Sequence, residues 1–340
     1  MMNHITVLGA GSWGTALATL LASKGLAVNL WARDAKFCAE IARDRENPRY
    51  LPGIKIPQEI KICADLPQAL KKHQMIVLSV PSQSVREIAK AIKPYLSPET
   101  MIVNTAKGFE TETLLRLSQV LCEELPTYCG EQIGVLSGPS HAEEVAVRLP
   151  TAVVVAANHQ DVAETIQDTF MTPFFRVYTN MDLVGVEIAG ALKNIIALGT
   201  GISDGLGYGD NTKAAMITRG LAEITRLGLI LGAEAQTFAG LAGIGDLVVT
   251  CTSMHSRNRR AGIQIGQGHP IDQVLSKMGM VVEGVSTTRA AHALARKVGV
   301  SMPITEETYQ VLFEGKEPVE AVTSLMSRCK THEGEKEMLG

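Results

Sequence analysis

Apolar positions in the first half of the chain fall in short unbroken runs. Residues 5–8, 27–31, 75–80, 101–104, 133–136, 152–155 and 174–178 each form such a run, most of them rich in β-branched or aromatic side chains. Continuous rather than alternating apolar runs are what strands covered on both faces require. Between them, residues 15–23 and 83–92 carry the three-and-four spacing of helices. Strands alternating with helices predict an α/β domain built on a mostly parallel sheet. After about residue 180 the pattern changes to long Ala/Leu/Ile/Gly helical stretches, at 181–198, 211–231, 257–267, 287–298, 306–313 and 319–326, with no strand run. The expected architecture is a sheet domain over residues 1–180 and an all-α domain over 181–340, with a flexible polar tail from about residue 330.

Composition narrows the class. With 340 residues the chain is long enough for two cores, and 46% hydrophobic with 20% charged residues is ordinary globular composition. A net charge of −3 argues against a nucleic-acid binder that works through bulk charge, while leaving room for a local basic pocket. The six cysteines (Cys38, Cys63, Cys122, Cys129, Cys251 and Cys329) are irregularly spaced, without a Cys-x-x-Cys pair or zinc-finger spacing. They read as reduced thiols of a cytoplasmic protein, and no metal site is expected. Residues 5–21 lack the basic flank of a signal peptide, and glycines interrupt them. No run of about 18 apolar residues occurs, so no membrane insertion is expected.

The first candidate chemistry is Gly9-Ala10-Gly11-Ser12-Trp13-Gly14, directly after a predicted strand and at the start of a predicted helix. In that context Gly-x-Gly-x-x-Gly is a Rossmann-type dinucleotide motif. Gly9 permits the tight turn, Gly11 lets the backbone approach a pyrophosphate, and Gly14 lets helix and strand pack closely. The helix N-terminus supplies free N–H groups for the anion. At the end of the second strand, where an acidic residue usually reads the ribose of NAD, stands Trp31-Ala32-Arg33-Asp34. Arg33 either pairs with a 2′-phosphate, so that NADP(H) is accepted, alone or alongside NAD(H), or forms a solvated surface pair with Asp34.

The second half carries three further signals. Lys193 is the only charge in Ile188-Ala189-Gly190-Ala191-Leu192-Lys193-Asn194-Ile195-Ile196-Ala197-Leu198. A helix apolar nearly all round is buried, and a buried lysine suits general acid/base work, unless it snorkels to the surface. Asp246, in Gly243-Ile244-Gly245-Asp246, reads as a loop aspartate that either orients Lys193 or simply makes a turn. His255-Ser256-Arg257-Asn258-Arg259-Arg260 is basic and is expected to open a helix, as a phosphate site or as a solvated face. In the first half, Ala106-Lys107-Gly108 and Ser137-Gly138-Pro139-Ser140-His141 each follow a strand, where ligands of parallel sheets bind. His141 is read as a packing residue.

Taken together, residues 9–14, 106–108, 137–140, 190–194, 241–247 and 256–259 resemble, in order and spacing, the bacterial-type NAD(P)-dependent glycerol-3-phosphate dehydrogenases. The resemblance runs through about Ser327. It implies a cytoplasmic enzyme that uses NAD(P)H to reduce dihydroxyacetone phosphate to sn-glycerol 3-phosphate for phospholipid synthesis. Its substrate would lie between a Rossmann domain and a helical domain. It implies Lys193 as proton donor and acceptor, with Lys107 and Asp246 in the catalytic site. Gly138, Ser140, Ser256, Arg257 and Asn258 would contact substrate. Ser12, Trp13, Arg33, Tyr50, Lys107, Ala142, Arg257, Val281 and Glu283 would line the cofactor. Two alternatives stay open: a β-hydroxyacid-type dehydrogenase acting on another substrate, and a non-catalytic NADPH-binding regulator. The apolar helical region is compatible with a homodimer.

Overall fold

The computed structural model describes residues 3–330 and residue 332. The tail expected to be flexible therefore lies, apart from Lys330 and His332, outside the described residues. The chain forms two compact units, Met1–Glu187 and Ile188–Gly340. Their division falls inside a long helix rather than before it.

The first unit runs β1 (His4–Leu8), α1 (Ser12–Ser23), β2 (Ala27–Trp31), α2 (Ala35–Asp44), β3 (Glu46–Asn47), β4 (Leu51–Lys55), β5 (Lys61–Cys63), α3 (Leu66–Ala69), β6 (Met75–Leu78), α4 (Val85–Ile92), β7 (Met101–Asn104), α5 (Leu117–Glu124), β8 (Ile133–Ser137), α6 (Ala142–Ala146), β9 (Thr151–Ala157), α7 (Gln160–Phe170) and β10 (Phe175–Asn180). Eight strands form one sheet in the order β10-β9-β8-β7-β6-β1-β2-β5, and β3 and β4 make a separate hairpin. Neighbours are parallel except β8 and β9, so the sheet is mostly parallel. The unbroken apolar runs have a simple cause. Successive residues of β1 point to opposite faces, and Val7 joins one core with Leu17, Leu30 and Val103 while Leu8 joins another with Ile76, Leu78 and Ile102. The chain leaves β1 for β2 on one side and returns to β6 on the other, which puts a topological switch point beside the glycine loop.

The second unit begins within α8 (Leu183–Gly205) and continues through α9 (Asp210–Ile230), α10 (Ala235–Phe238), α11 (Asp246–Thr252), α12 (Arg257–Gly266), α13 (Ile271–Lys277), α14 (Glu283–Val298), α15 (Pro303–Phe313) and α16 (Pro318–Met326). By length and composition α8 could cross a membrane, but 94% of its most apolar window is buried inside the protein, as expected of a core helix. α8 and α12 meet backbone to backbone. A Cβ at Gly201 would lie 2.2 Å from the Arg259 carbonyl oxygen, and one at Gly262 would lie 2.2 Å from that of Leu198. Small residues at these positions bring the start of α12 alongside α8.

Two expectations are corrected here. Asp246 is not in a loop: a π-helical turn, Leu241–Gly245, leads into it, and it is the first residue of α11. The glycines that suggested a loop allow that irregular turn instead. Nor do all six cysteines remain thiols, because Cys122 and Cys129 are disulfide-bonded with Cα atoms 4.5 Å apart. α5 ends at Glu124, and a tight turn over Pro126–Tyr128 folds the chain back on it, a proximity that irregular spacing does not reveal. Cys38, Cys63, Cys251 and Cys329 are free.

Candidate active site

In the first unit the glycine loop leaves β1, and each glycine answers to a different constraint. Gly9 has φ +112°, and a Cβ there would lie 2.3 Å from the Ser79 carbonyl oxygen. At Gly14 a Cβ would lie 1.8 Å from the Gly9 carbonyl oxygen, so the first turn of α1 rests directly on the loop. Gly11 differs. Its φ is −73°, open to any residue, and a Cβ there would meet nothing within 4 Å. Internal packing explains the first and third glycines but not the second. The space beside Gly11, at the N-cap of a 12-residue helix, fits the close approach of a pyrophosphate. Ser12 and Trp13 open that helix, and the Trp13 ring lies 6.5 Å from that of Phe175.

Other expected residues sit at the carboxyl ends of the same strands. Lys107 follows β7 and donates to the Gly138 carbonyl, just beyond β8, at 3.2 Å. The Ser140 hydroxyl donates to that same oxygen at 2.9 Å. The parallel pairing of β7 and β8 brings these groups together. His141 is the N-cap of α6, and Ala142 is its buried first residue. Tyr50 lies beyond β3, its ring edge-on to Phe37 at 5.4 Å. Arg33 follows β2 and is exposed. Its partner is Glu87, at 3.4 Å, rather than Asp34, which instead caps α2 by accepting from the Lys36 and Phe37 N–H groups. The surface pair expected with Asp34 is thereby corrected: a cap needs the carboxylate turned towards its own helix.

In the second unit Lys193 and Asp246 form a buried ion pair. Lys193 and Asp246 are 6% and 1% exposed, and the ammonium donates to the Asp246 carboxylate. It also donates to the Thr250 hydroxyl at 2.8 Å. Lys193 therefore does not snorkel to solvent; it is buried against a counter-charge, the arrangement in which a buried ion is tolerated. Thr250, which sequence reasoning missed, stands one turn after Asp246 and donates to the Asp246 carbonyl at 2.5 Å. The i, i+4 spacing of an Asp and a Thr was the available signal, hidden by reading the segment as a loop.

Beside this pair, the buried Asn258 amide donates to Asn194 Oδ1 at 2.8 Å, and its own oxygen accepts from Gly284 N at 2.9 Å. This holds the first turn of α12 against α8 and against the start of α14. Ser256 is the N-cap of α12 and accepts from Arg259 N at 3.2 Å. Arg257 donates to the Val281 carbonyl at 3.1 Å, which draws Val281 and Glu283, the first residue of α14, to the same neighbourhood. Arg259, by contrast, is committed to structure, donating to Asp204 from two nitrogens at 2.9 and 2.7 Å. The expected residues thus form two groups, one in each unit. Among the described residues no set of three His, Cys, Asp or Glu side chains could hold a metal ion.

Comparisons with known proteins place the whole sequence in one family. Residues 4–163 match the family model for the NAD-dependent glycerol-3-phosphate dehydrogenase N-terminus, and residues 182–323 match that for its C-terminus. The chain is 59% identical over 335 residues to a glycerol-3-phosphate dehydrogenase (NAD(P)+) of Moorella thermoacetica, covering 98% of this chain and 99% of that one. It is 57% identical to the enzyme of the same name from Geobacillus thermodenitrificans, over 98% of this chain and 97% of that one. A crystal structure of glycerol-3-phosphate dehydrogenase from Coxiella burnetii superposes with a TM-score of 0.92 at 41% identity, covering 96% of this chain and 99% of that one.

Proposed function

Because the chain belongs to the NAD-dependent glycerol-3-phosphate dehydrogenase family, we propose that it reduces dihydroxyacetone phosphate to sn-glycerol 3-phosphate, reversibly, with NAD(P)H. The observation that carries the chemistry is the buried pair between Lys193, in an otherwise apolar stretch of α8, and Asp246 at the start of α11. When bound, the cofactor supplies a hydride to the C2 carbonyl carbon. Negative charge then builds on the carbonyl oxygen, where Lys193 stabilises it and delivers the proton. Lys107 is assigned to the catalytic chemistry as well, through the charge of its ammonium. Asp246 and Thr250 hold the Lys193 ammonium in place.

Arg257 and Asn258, with backbone N–H groups, are assigned to the substrate phosphate, and Ser256, Gly138 and Ser140 to substrate contact. The support at the start of α12 is chemical: a guanidinium, an amide and the positive end of a ten-residue helix. Binding energy at the phosphate positions a carbonyl several bonds away, so it acts on turnover as well as affinity. Ser12, Trp13, Arg33, Tyr50, Ala142, Val281 and Glu283 are assigned to the cofactor, with the Gly11 N–H at the pyrophosphate. A cytoplasmic enzyme feeding phospholipid synthesis belongs to the same proposal. The basic start of α12 favours this substrate over an unphosphorylated hydroxy acid.

The test is a substrate panel followed by NADPH oxidation. Dihydroxyacetone phosphate should be reduced at least about a hundredfold more efficiently than dihydroxyacetone, since a lost set of charged hydrogen bonds is worth roughly 3 kcal/mol or more. Equal rates with and without the phosphate would refute the assignment.

A further inference from the structure

Asn47 is a wholly buried polar residue in β3 to which the reaction assigns nothing. Its amide nitrogen donates to the Ala10 carbonyl at 2.9 Å and to the Thr15 hydroxyl at 2.8 Å. Its oxygen accepts from Tyr50 N at 3.0 Å. An asparagine side chain offers two N–H donors and one carbonyl, so every polar group of Asn47 is engaged and its orientation is locked. One side chain thereby ties together the glycine loop, the first helix and the segment that carries Tyr50.

The consequence follows from the planarity of the peptide bond. The Ala10 carbonyl and the Gly11 N–H belong to one trans peptide unit and point in opposite directions. With the carbonyl held inward by Asn47, the Gly11 N–H is turned away from Asn47. The same residue's missing side chain leaves open space around it. A loop carbonyl without this tether would be free to rotate and could present its oxygen, with its negative partial charge, to an anion.

We propose that Asn47 is a positioning residue for the cofactor. It fixes the Ala10–Gly11 peptide plane so that an N–H rather than a carbonyl faces the pyrophosphate, and it couples that plane to the backbone of Tyr50. This inference rests on the dinucleotide reading of the loop. A residue needed only for folding would alter stability and leave the response to different nucleotides alike, whereas the proposed role is confined to ligands that carry a pyrophosphate.

The experiment compares wild type, Asn47→Ser and Thr15→Val, each titrated with NADPH and with adenosine 2′-phosphate, which has no pyrophosphate. Wild type should bind NADPH; failure there refutes the dinucleotide reading itself. Asn47→Ser should weaken NADPH binding about tenfold or more while adenosine 2′-phosphate affinity changes by less than about twofold. In steady state its KM for NADPH should rise far more than its kcat falls. Thr15→Val keeps the shape of the helix and removes one of the two acceptors, so it should weaken NADPH about threefold, and it carries the test if Asn47→Ser does not fold. Unchanged NADPH affinity, or equal losses for both nucleotides, overturns the proposal.

Discussion

The three loop glycines can be separated by substitution, because the structure assigns each a different reason. Consider Gly11→Ala beside Gly14→Ala. At Gly14 the added methyl would lie 1.8 Å from a backbone oxygen that cannot swing aside, so α1 must back away from the loop. Overpacking of this kind costs about 1–3 kcal/mol or more. At Gly11 the methyl meets nothing within 4 Å, and φ is already −73°. Alanine is a poorer N-cap than glycine by roughly half to one kcal/mol. Restricting the unfolded chain offsets this by about 0.4–1 kcal/mol. The net stability change should lie within about 1 kcal/mol. Binding should respond the other way. The methyl occupies the approach to the Gly11 N–H, and losing one charge-assisted hydrogen bond costs roughly 1.5–3 kcal/mol, or about ten- to a hundredfold in affinity. Thermal melts of the apo-proteins, paired with fluorescence titration of NADPH, read both quantities. Gly11→Ala should melt close to wild type and bind poorly, while Gly14→Ala should melt early. A Gly11→Ala protein that binds NADPH as wild type does would refute the reasoning about this loop.

Two further outcomes follow. The Arg33–Glu87 pair is exposed on both sides and worth at most about 1 kcal/mol, so Arg33 can leave it for a phosphate at little cost. Arg33→Ala should reduce the preference for NADPH over NADH about tenfold in kcat/KM, and an unchanged ratio would remove Arg33 from the cofactor site. Glu223, wholly buried, is pushed up to about 7 by burial, which outweighs its hydrogen bonds from Ile304 and Thr305 and the nearby Arg226 charge. An acid with a raised folded-state pKa binds its proton more tightly when folded. The stability it contributes is therefore fully present below its ordinary value of 4.5 and is lost as pH rises through about 7. Denaturant titrations at several pH values should show this decline, on the order of a few kcal/mol, and Glu223→Gln should flatten it.

Much of this was legible in the sequence, for identifiable reasons. Long buried strands and apolar helices announce themselves by period, and the glycine motif was readable because it lay between a strand and a helix. Lys193 stood out as a lone charge in an apolar helix, and burial with Asp246 is the outcome that pattern favours. What escaped was short or directional. β3 has two residues and β5 three, too few for any periodicity. The run at β9 signalled a strand, but nothing in its apolar residues distinguishes antiparallel from parallel pairing. Asn47 sits beside a proline and looks like an ordinary turn residue. Its value comes from Ala10 and Thr15, more than thirty residues away in sequence. Arg33 was read against its neighbour Asp34, whereas its partner Glu87 arrives from α4.

The central claim is that the buried ammonium of Lys193 carries the proton of the reaction. Lys193→Ala measures it most directly, with dihydroxyacetone phosphate turnover and NADPH affinity determined on the same preparation. The lysine lies in the second unit and the glycine loop in the first, so the two readouts should part. Turnover should fall at least about a thousandfold, roughly 4 kcal/mol of transition-state stabilisation, with the NADPH dissociation constant within about threefold of wild type. Turnover near the wild-type rate in a folded, NADPH-binding Lys193→Ala protein would contradict the account.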